Sequence, residues 1–316
     1  MSGIVTFCHP GSVVDWRLNP PTYRGRGLMT SLPPAVLRHA IAANIAASLA
    51  EDEGSGDLTA ALIPFDRHVS GTVVAKEAAV VAGRQWVEES FRQVDPAIRL
   101  HWRHEDGERV DPVIDPVIFE FQGPARSVMT AERTALNWLQ TLSGVATRCR
   151  AYADAVAHTG VRLLDTRKTL PGMRIAQKYA VTCGGCYNHR IGLYDGILIK
   201  ENHIAACGSI TAAVAAARQQ SAQVPVEVET ETPNEVAEAV AAGADIIMLD
   251  EFPLQSMREL TRQYRGQAAF EASGGITDAN LGAVAETGVD YISLGTLTKD
   301  VTAVDLSLRV TEINNT

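Results

Sequence analysis

Residues 224–250 read VPVEVETETPNEVAEAVAAGADIIMLD, and this stretch decides the fold class. It begins with an apolar, valine-rich run (Val224–Val228), continues as an alanine-rich segment with helical spacing (Pro233–Ala242), and ends in a second apolar run (Ile246–Leu249). Two short apolar runs joined by a helical segment are typical of a strand–helix–strand unit in which the strands lie parallel. The stretch therefore predicts an α/β fold.

The same alternation continues on both sides of this stretch. Further helical segments occur at Ile210–Arg218 and Ala279–Thr287, and a seventh strand is predicted near Ala180–Val181. The six apolar runs are Val161–Leu164, Gly196–Ile199, Val224–Val228, Ile246–Leu249, Ala268–Phe270 and Tyr291–Leu294. Because continuous apolar strands are buried on both faces, we expect a closed or nearly closed α/β barrel of about six or seven parallel strands. An open doubly wound sheet is the alternative.

The first half of the chain lacks this alternation. Short strand-like runs and helical segments follow one another without a fixed order, and a long helix is predicted over about 129–157. This mixture indicates an α+β domain. We therefore divide the chain into an N-terminal extension without periodicity (1–31), an α+β domain (32–143) and a barrel domain (144–302).

The composition argues against several classes of protein. The 316 residues carry a net charge of −9, whereas nucleic acids and anionic membranes attract positive surfaces, so neither is expected as a partner. No apolar run approaches the roughly 18–20 residues that a spanning helix needs. The five cysteines are scattered, which favours a cytoplasmic location over a disulfide framework. Cys183 and Cys186 form a CxxC pair, but no second pair completes a zinc site, and a glycine-rich loop is the favoured interpretation.

Positively charged residues follow several of the predicted strands. Ligands of parallel α/β sheets bind at the carboxyl ends of the strands, so these side chains are expected to meet. They are Arg167, Lys168, His189, Arg190 and Lys200. Cations that converge in an acidic protein repel one another unless an anion joins them, and guanidinium groups bind carboxylates and phosphates well. The alternative is internal pairing with Asp165, Glu201 or helix C-termini.

Two carboxylates and two glycine-rich turns follow the remaining strands. Glu229 and Asp250 end neighbouring strands, and such a pair can hold Mg²⁺ through water or accept hydrogen bonds from sugar hydroxyls. The alternative is a charged rim without function. The turns at Ser273–Gly275 and Gly295–Thr296 offer backbone amides, which bind phosphate. Two such turns on the last two strands predict a barrel phosphate site.

These motifs resemble those of the quinolinate phosphoribosyltransferases (nicotinate-nucleotide pyrophosphorylase, carboxylating), which are type II phosphoribosyltransferases. In chain order they are DTRKT (165–169), NHRIGL (188–193), LIKENH (198–203), EVET (227–230), MLD (248–250), SGGI (273–276) and SLG (293–295). Residues 51–59 and AERTALN (131–137) resemble the family's N-terminal motif and interdomain helix. The resemblance covers about 33–310 and departs at Cys186–Tyr187, where the family usually has smaller residues.

The resemblance implies an N-terminal α+β sandwich domain, joined by the chain end (about 303–316), and an irregular α/β barrel. It implies Mg²⁺-dependent transfer of phosphoribosyl from phosphoribosyl pyrophosphate to quinolinate, with decarboxylation. The products would be nicotinate mononucleotide, CO₂ and pyrophosphate, on the de novo route to NAD. It also implies a homodimer or higher homo-oligomer with shared active sites.

The resemblance also implies roles for individual residues. The catalytic set is Lys168, Lys200, Glu229 and Asp250. The dicarboxylate would be held by Arg167, His189, Arg190 and Lys200, together with Arg133 from the neighbouring subunit. Lys168 would meet the pyrophosphate, whereas Glu229 and Asp250 would hold the ribose hydroxyls and Mg²⁺. Ser273, Gly274, Gly275 and Gly295 would take the 5′-phosphate, and Thr166, Ser293 and Leu294 complete the substrate-binding set.

Three alternatives stay open at this point. The first is a paralogous type II phosphoribosyltransferase, such as the molybdenum-transport-associated homologues, that acts on another base. The second is a Schiff-base lyase, because Lys200 ends a barrel strand and amines so placed attack carbonyl groups. The third is a barrel that binds pyridine carboxylates without catalysis.

Overall fold

The computed structural model describes residues 32–315, so the predicted extension (1–31) lies outside the described residues. No helix in this part of the chain is both long and apolar enough to cross a membrane. The N-terminal elements are α1 (Pro34–Glu53), a 3₁₀ turn (Ala60–Leu62), β1 (Arg67–Ala75), β2 (Ala79–Val80), α2 (Arg84–Val94), β3 (Arg99–Trp102), β4 (Arg109–Val110), β5 (Val117–Pro124) and α3 (Ala125–Ala155).

The N-terminal elements form an antiparallel sheet with helices packed against it. The strand order is β12–β1–β5–β3, where β12 (Leu306–Asn315) comes from the end of the chain and pairs along the whole of β1. Phe91 of α2 and Leu139 of α3 pack with Phe119 and Phe121 of β5 in one core. The chain end therefore supplies an edge strand to the sheet that residues 67–124 begin.

The second group of elements follows α3 and alternates strands with helices. They are β6 (Arg162–Leu164), α4 (Arg174–Cys183), β7 (Ile197–Ile199), α5 (Glu201–Cys207), α6 (Ile210–Gln220), β8 (Val226–Thr230), α7 (Pro233–Ala241), β9 (Ile246–Asp250), α8 (Leu254–Gln263), β10 (Ala269–Ser273), α9 (Leu281–Ala285), β11 (Tyr291–Ser293) and α10 (Thr296–Lys299). The six strands form one parallel sheet in the order β6–β11–β10–β9–β8–β7. The α/β fold with about six parallel strands is confirmed.

The seventh strand was predicted at the wrong place. Ala180 and Val181 lie in α4, where both side chains are buried against the apolar core around the sheet. A short apolar run fits a buried helix as well as a strand, which explains the error. The structure instead has a single parallel bridge between Tyr187 and Leu164 of β6, at the beginning of the loop that carries His189.

The sheet curls into an incomplete barrel. His189 lies two residues after the bridge beside β6, yet its Nε2 atom is 3.1 Å from the Glu227 carboxylate on β8. These strands are four positions apart in the sheet, which corresponds to about 19 Å if the sheet were flat. The inward-facing side chains of the two ends therefore meet across the barrel interior.

The long helix α3 joins the two groups of elements. Gly144 is its weak point by helix propensity, but the structure shows why it is glycine. A Cβ atom there would lie 2.0 Å from the Thr302 carbonyl oxygen, in the segment that leads to β12. Trp86 of α2 stacks on Trp138 of α3 and contacts Tyr179 of α4. The barrel is thus packed directly against the N-terminal elements.

Candidate active site

The strand order and the two-residue alternation bring the predicted site residues to one end of the barrel. Lys200 follows β7 and forms an ion pair with Glu229 near the end of β8. Asp250 ends β9 and Ser273 ends β10, and the two are paired in register. Side chains two residues apart on a strand share a face, so Glu229 and Asp250 face the same interior as the residues below them.

Arg167 and Arg190 form the positive centre of this end of the barrel. Burial lowers the pKa of Arg190, and the positive charge of Arg167 lowers it further. The Arg190 Nη1 atom donates to the Gly196 carbonyl at 3.1 Å, whereas the Arg167 side chain makes no hydrogen bond or ion pair with any described residue. Two guanidinium groups held together in this way are stabilised by a bound anion.

Asp165 and Glu201 form no ion pair with the five predicted cations. Asp165 pairs with Lys178 of α4, and Glu201 accepts a hydrogen bond from the side chain of Asn202. Of the five predicted cations, only Lys200 has a carboxylate partner that belongs to the predicted site. The alternative of pairing with Asp165 or Glu201 is therefore not what the structure shows.

His189 is held from both sides. Its Nδ1 atom accepts a hydrogen bond from the Arg190 backbone N–H at 2.8 Å, and its Nε2 atom lies 3.1 Å from Glu227 and 3.7 Å from Glu271. Burial lowers the pKa of His189, so the ring is neutral near pH 7. A neutral ring that accepts at Nδ1 carries its proton on Nε2. Both ring nitrogens of His189 therefore face protein groups.

The sequence analysis missed the buried carboxyl pair of Glu227 and Glu271. Neither side chain is exposed; the Glu227 carboxylate lies 3.1 Å from the His189 Nε2 atom, and the Glu271 carboxylate lies near His189 and Ser293. Burial raises the pKa of each to about 8; the charge of Glu229 adds to the effect at Glu227, and that of Glu227 adds to it at Glu271. The two-residue alternation of strands could have revealed the pair, because side chains two residues apart share a face. Glu227 lies two residues before Glu229, and Glu271 lies two residues before Ser273.

Two groups of side chains at this end could be considered for a metal ion. The ligand atoms of His189, Glu227 and Glu271 lie within 4.8 Å of one another, but the proton on Nε2 occupies the lone pair that a metal would need. Glu229 and Asp250 offer carboxylate oxygens at the ends of adjacent strands, which is the donor set that Mg²⁺ prefers. The residues present therefore fit Mg²⁺ at the carboxylate pair.

The two glycine turns lie against the predicted site residues. Gly274 has φ +79°, and a Cβ atom there would lie 2.7 Å from the Asp250 carboxylate. A Cβ atom at Gly295 would lie 3.0 Å from the Lys168 side chain and 3.7 Å from the Thr166 hydroxyl. The Gly295 turn therefore lies next to a lysine, as a phosphate site requires, whereas the Gly274 turn packs closely against Asp250 and Glu251.

Three further residues of the predicted site differ from the others in burial or in position. Ser293 is buried at the end of β11. Leu294 is also buried, its side chain lies in the apolar core, and its N–H donates to the Leu164 carbonyl, so neither group is available to a phosphate. Arg133 is exposed on α3, and its side chain makes no hydrogen bond or ion pair with another described residue. The structure does not bring Arg133 into contact with the barrel end of its own chain.

An α/β barrel that carries arginines, lysines and glycine turns at the carboxyl ends of its strands is typical of an enzyme that binds a phosphorylated substrate together with a carboxylate-bearing one. Comparison with known proteins identifies the family. Residues 145–309 match "Quinolinate phosphoribosyl transferase, C-terminal domain" and residues 57–143 match its "N-terminal domain". The chain belongs to the quinolinate phosphoribosyltransferase family.

Relatives and solved structures agree with this assignment. The chain is 44% identical to a "Probable nicotinate-nucleotide pyrophosphorylase [carboxylating]" of Bacillus subtilis, over 84% of this chain and 91% of that protein. It is 36% identical to the "chloroplastic" enzyme of Arabidopsis thaliana, over 95% and 91%. The nicotinate-nucleotide pyrophosphorylase structure from Francisella tularensis is similar with a TM-score of 0.85 and 42% identity, over 89% of this chain and 98% of that one.

The buried carboxyl pair predicts a pH dependence of stability. Glu271 keeps its proton up to about pH 8 in the folded protein, where its pKa is raised to about 8, but in the unfolded chain it loses the proton near pH 4.5, its ordinary pKa. Unfolding therefore releases a proton between these values, and the free energy of unfolding falls as pH rises from about 5 to 8. In Glu271→Gln this fall should be shallower, by at most about 1.4 kcal/mol per pH unit.

Urea unfolding of the wild type and of Glu271→Gln at several pH values measures this difference. The exposed Glu259→Gln variant on α8 is the control and should keep the wild-type slope. Equal slopes for Glu271→Gln and the wild type would show that Glu271 is ionised in the folded protein.

Proposed function

We propose that the chain transfers the phosphoribosyl group of phosphoribosyl pyrophosphate to quinolinate and releases CO₂ and pyrophosphate, which gives nicotinate mononucleotide for NAD biosynthesis. The observation that carries this proposal is the pair of neighbouring guanidinium groups, Arg167 and Arg190, next to a carboxylate pair and two glycine turns. Quinolinate supplies two carboxylates for the guanidinium groups. The second substrate supplies a phosphate, a pyrophosphate and ribose hydroxyls for the other groups.

The reaction leaves little covalent chemistry to the protein. The pyridine nitrogen attacks C1 of the ribose, and the bond from C1 to pyrophosphate breaks. The nitrogen is then positively charged and stabilises the electron pair that stays on C2 when the carbon–carboxylate bond breaks and CO₂ leaves. That pair then binds a proton from solvent. Proximity of the two substrates contributes up to about 7–11 kcal/mol in such reactions. Arg167 and Arg190 hold the pyridine ring in line with C1.

The ends of the central strands would act on the sugar. Glu229 and Asp250 would accept hydrogen bonds from the ribose hydroxyls and would hold Mg²⁺, which would supply positive charge to the pyrophosphate. Lys200 pairs with Glu229 and keeps that carboxylate oriented. Lys168 lies next to the Gly295 turn, where it meets a phosphorylated group. Preorganised groups of this kind are each worth roughly 3–4 kcal/mol in the transition state.

We further propose that the protein is a homodimer or a higher homo-oligomer in which Arg133 completes the neighbour's site. Leu58, Leu62 and Phe65 are 87%, 81% and 83% exposed, which is unusual for large apolar residues so close in the sequence. Their segment is fastened to the face of α3 that carries Arg133, because Thr130 donates to Asp57 at 2.9 Å. A second subunit that covers this apolar surface would also meet Arg133.

We also propose a division into two domains and a cytoplasmic location. Residues 32–143 together with about 303–316 would form one domain and residues 144–302 the other, which the pairing of β12 with β1 supports. The cytoplasmic location rests on the scattered cysteines of the sequence.

The activity is tested by CO₂ released from carboxyl-labelled quinolinate. Release should require both substrates and stop when EDTA removes Mg²⁺. Arg167→Ala leaves a carboxylate unpaired, so quinolinate binding should weaken by about 2–5 kcal/mol. The control is Arg258→Ala, which removes an exposed arginine of α8 and should keep wild-type binding. The proposal fails if CO₂ is not released with both substrates, and Arg167 leaves the site if its variant binds quinolinate normally.

The shared site is tested by mixing two inactive variants. Arg133→Ala and Lys200→Ala subunits, unfolded and refolded together, should regain about one quarter of wild-type activity, because half of the dimers are mixed and each holds one intact site. A mixture of Arg167→Ala with Lys200→Ala is the control, since both residues belong to the same barrel, and it should stay inactive. An inactive first mixture, with mixed dimers demonstrated by mass spectrometry, would contradict the shared site.

A further inference from the structure

Asp165 is a fully buried carboxylate at the end of β6 with three donors around it. The Lys178 ammonium lies 2.5 Å away, the Asn188 side-chain amide 2.7 Å away, and the His189 backbone N–H 2.9 Å away. Lys178 is equally buried and also donates to the His189 carbonyl at 3.1 Å. The ion pair therefore binds both polar backbone groups of His189.

These contacts join the two segments that carry the guanidinium groups. Arg167 lies two residues after Asp165 on the β6 side, and Arg190 follows His189 in the loop on the other side. The two segments are attached to each other through the Asp165 carboxylate and to α4 through Lys178. The mutual repulsion of Arg167 and Arg190 acts to separate these segments, so the ion pair opposes it.

A second buried carboxylate fixes the far side of Arg190. Asp195 accepts hydrogen bonds from the backbone N–H groups of Ile191 at 2.7 Å and Gly192 at 2.8 Å. The backbone on both sides of Arg190 is thus bonded to a buried acid, Asp165 on one side and Asp195 on the other. Because the Arg190 backbone is fixed on both sides, its guanidinium group can move only by rotation about the side-chain bonds.

We propose that the buried Asp165–Lys178 ion pair is a positioning device that sets the spacing of Arg167 and Arg190, and thereby selects a pyridine with two adjacent carboxylates. The inference rests on the proposed function for the identity of the substrate. Stability alone does not account for such a pair, because a buried ion pair is often no more stabilising than well-packed apolar residues. An apolar replacement, however, would leave the N–H and the carbonyl of His189 without partners and would remove one of the two acceptors of the Asn188 side-chain amide.

The test compares Asp165→Asn, Lys178→Met and the double variant in the full-length protein. Each single variant leaves one uncompensated buried charge or one misplaced donor, so both stability and quinolinate binding should suffer. The double variant removes both charges and should recover stability. Its KM for quinolinate should nevertheless stay raised by tenfold or more, while its KM for phosphoribosyl pyrophosphate stays within about twofold of the wild type.

A matched control is available at the other end of the barrel. Arg218 pairs with Asp245 at 2.8 Å, and Asp245 also accepts from the Val226 backbone N–H, so this pair holds backbone in the same way. Arg218→Met should lower stability and leave both KM values unchanged. Should the Asp165 and Lys178 variants fail to fold, Asn188→Ala removes one arm of the network and keeps both charges, and it should raise the quinolinate KM about threefold.

The outcomes separate this inference from the proposed function. If the wild type does not release CO₂ from quinolinate, the proposed function fails and the positioning role has no substrate to select. If the wild type is active but the double variant has the wild-type KM for quinolinate, the positioning role is wrong. A KM that returns to normal whenever stability returns would equally assign the pair a purely structural role.

Discussion

The barrel end depends on a balance between two like charges and one buried carboxylate. Arg167 and Arg190 repel each other, and the Asp165 carboxylate binds the segments from which both of them project. Lys178 neutralises that carboxylate in a place where water does not reach it. A bound anion between the two guanidinium groups would offset this repulsion.

The rest of the barrel is layered around this balance. Outward-facing residues of the strands pack against helices, as Val228 and Leu249 do. The inward-facing residues change along the strands. Ile246 and Tyr291 belong to a small apolar cluster, and they pair in register with the uncharged Glu227 and Glu271. Glu229 and Asp250 follow toward the open end. Charge therefore increases toward the end where the substrates would bind. A low-dielectric floor beneath charged groups strengthens their electrostatic effect on a bound substrate.

The strands and most residues at their ends can be predicted from the sequence. The features that the sequence did not predict depend on contacts between distant elements. The six strands were predicted correctly because each is a short apolar run followed by polar residues. Ala180–Val181 was misread because a buried helix can show the same run. Lys178 could not be found from its position, since only the packing of α4 against β6 turns a helical lysine into the partner of Asp165. Leu294 was included with its neighbours, although strand alternation turns its side chain into the core.

The most direct measurement compares two ligands that differ by one carboxylate. Isothermal titration of the full-length protein with quinolinate and with nicotinate reports what the second carboxylate contributes, without any turnover. If Arg167 and Arg190 are held apart by the distance that two adjacent carboxylates require, quinolinate should bind at least about 30-fold more tightly, or about 2 kcal/mol. Equal affinity for the two ligands would contradict the account, because the second guanidinium group would then have no carboxylate to bind.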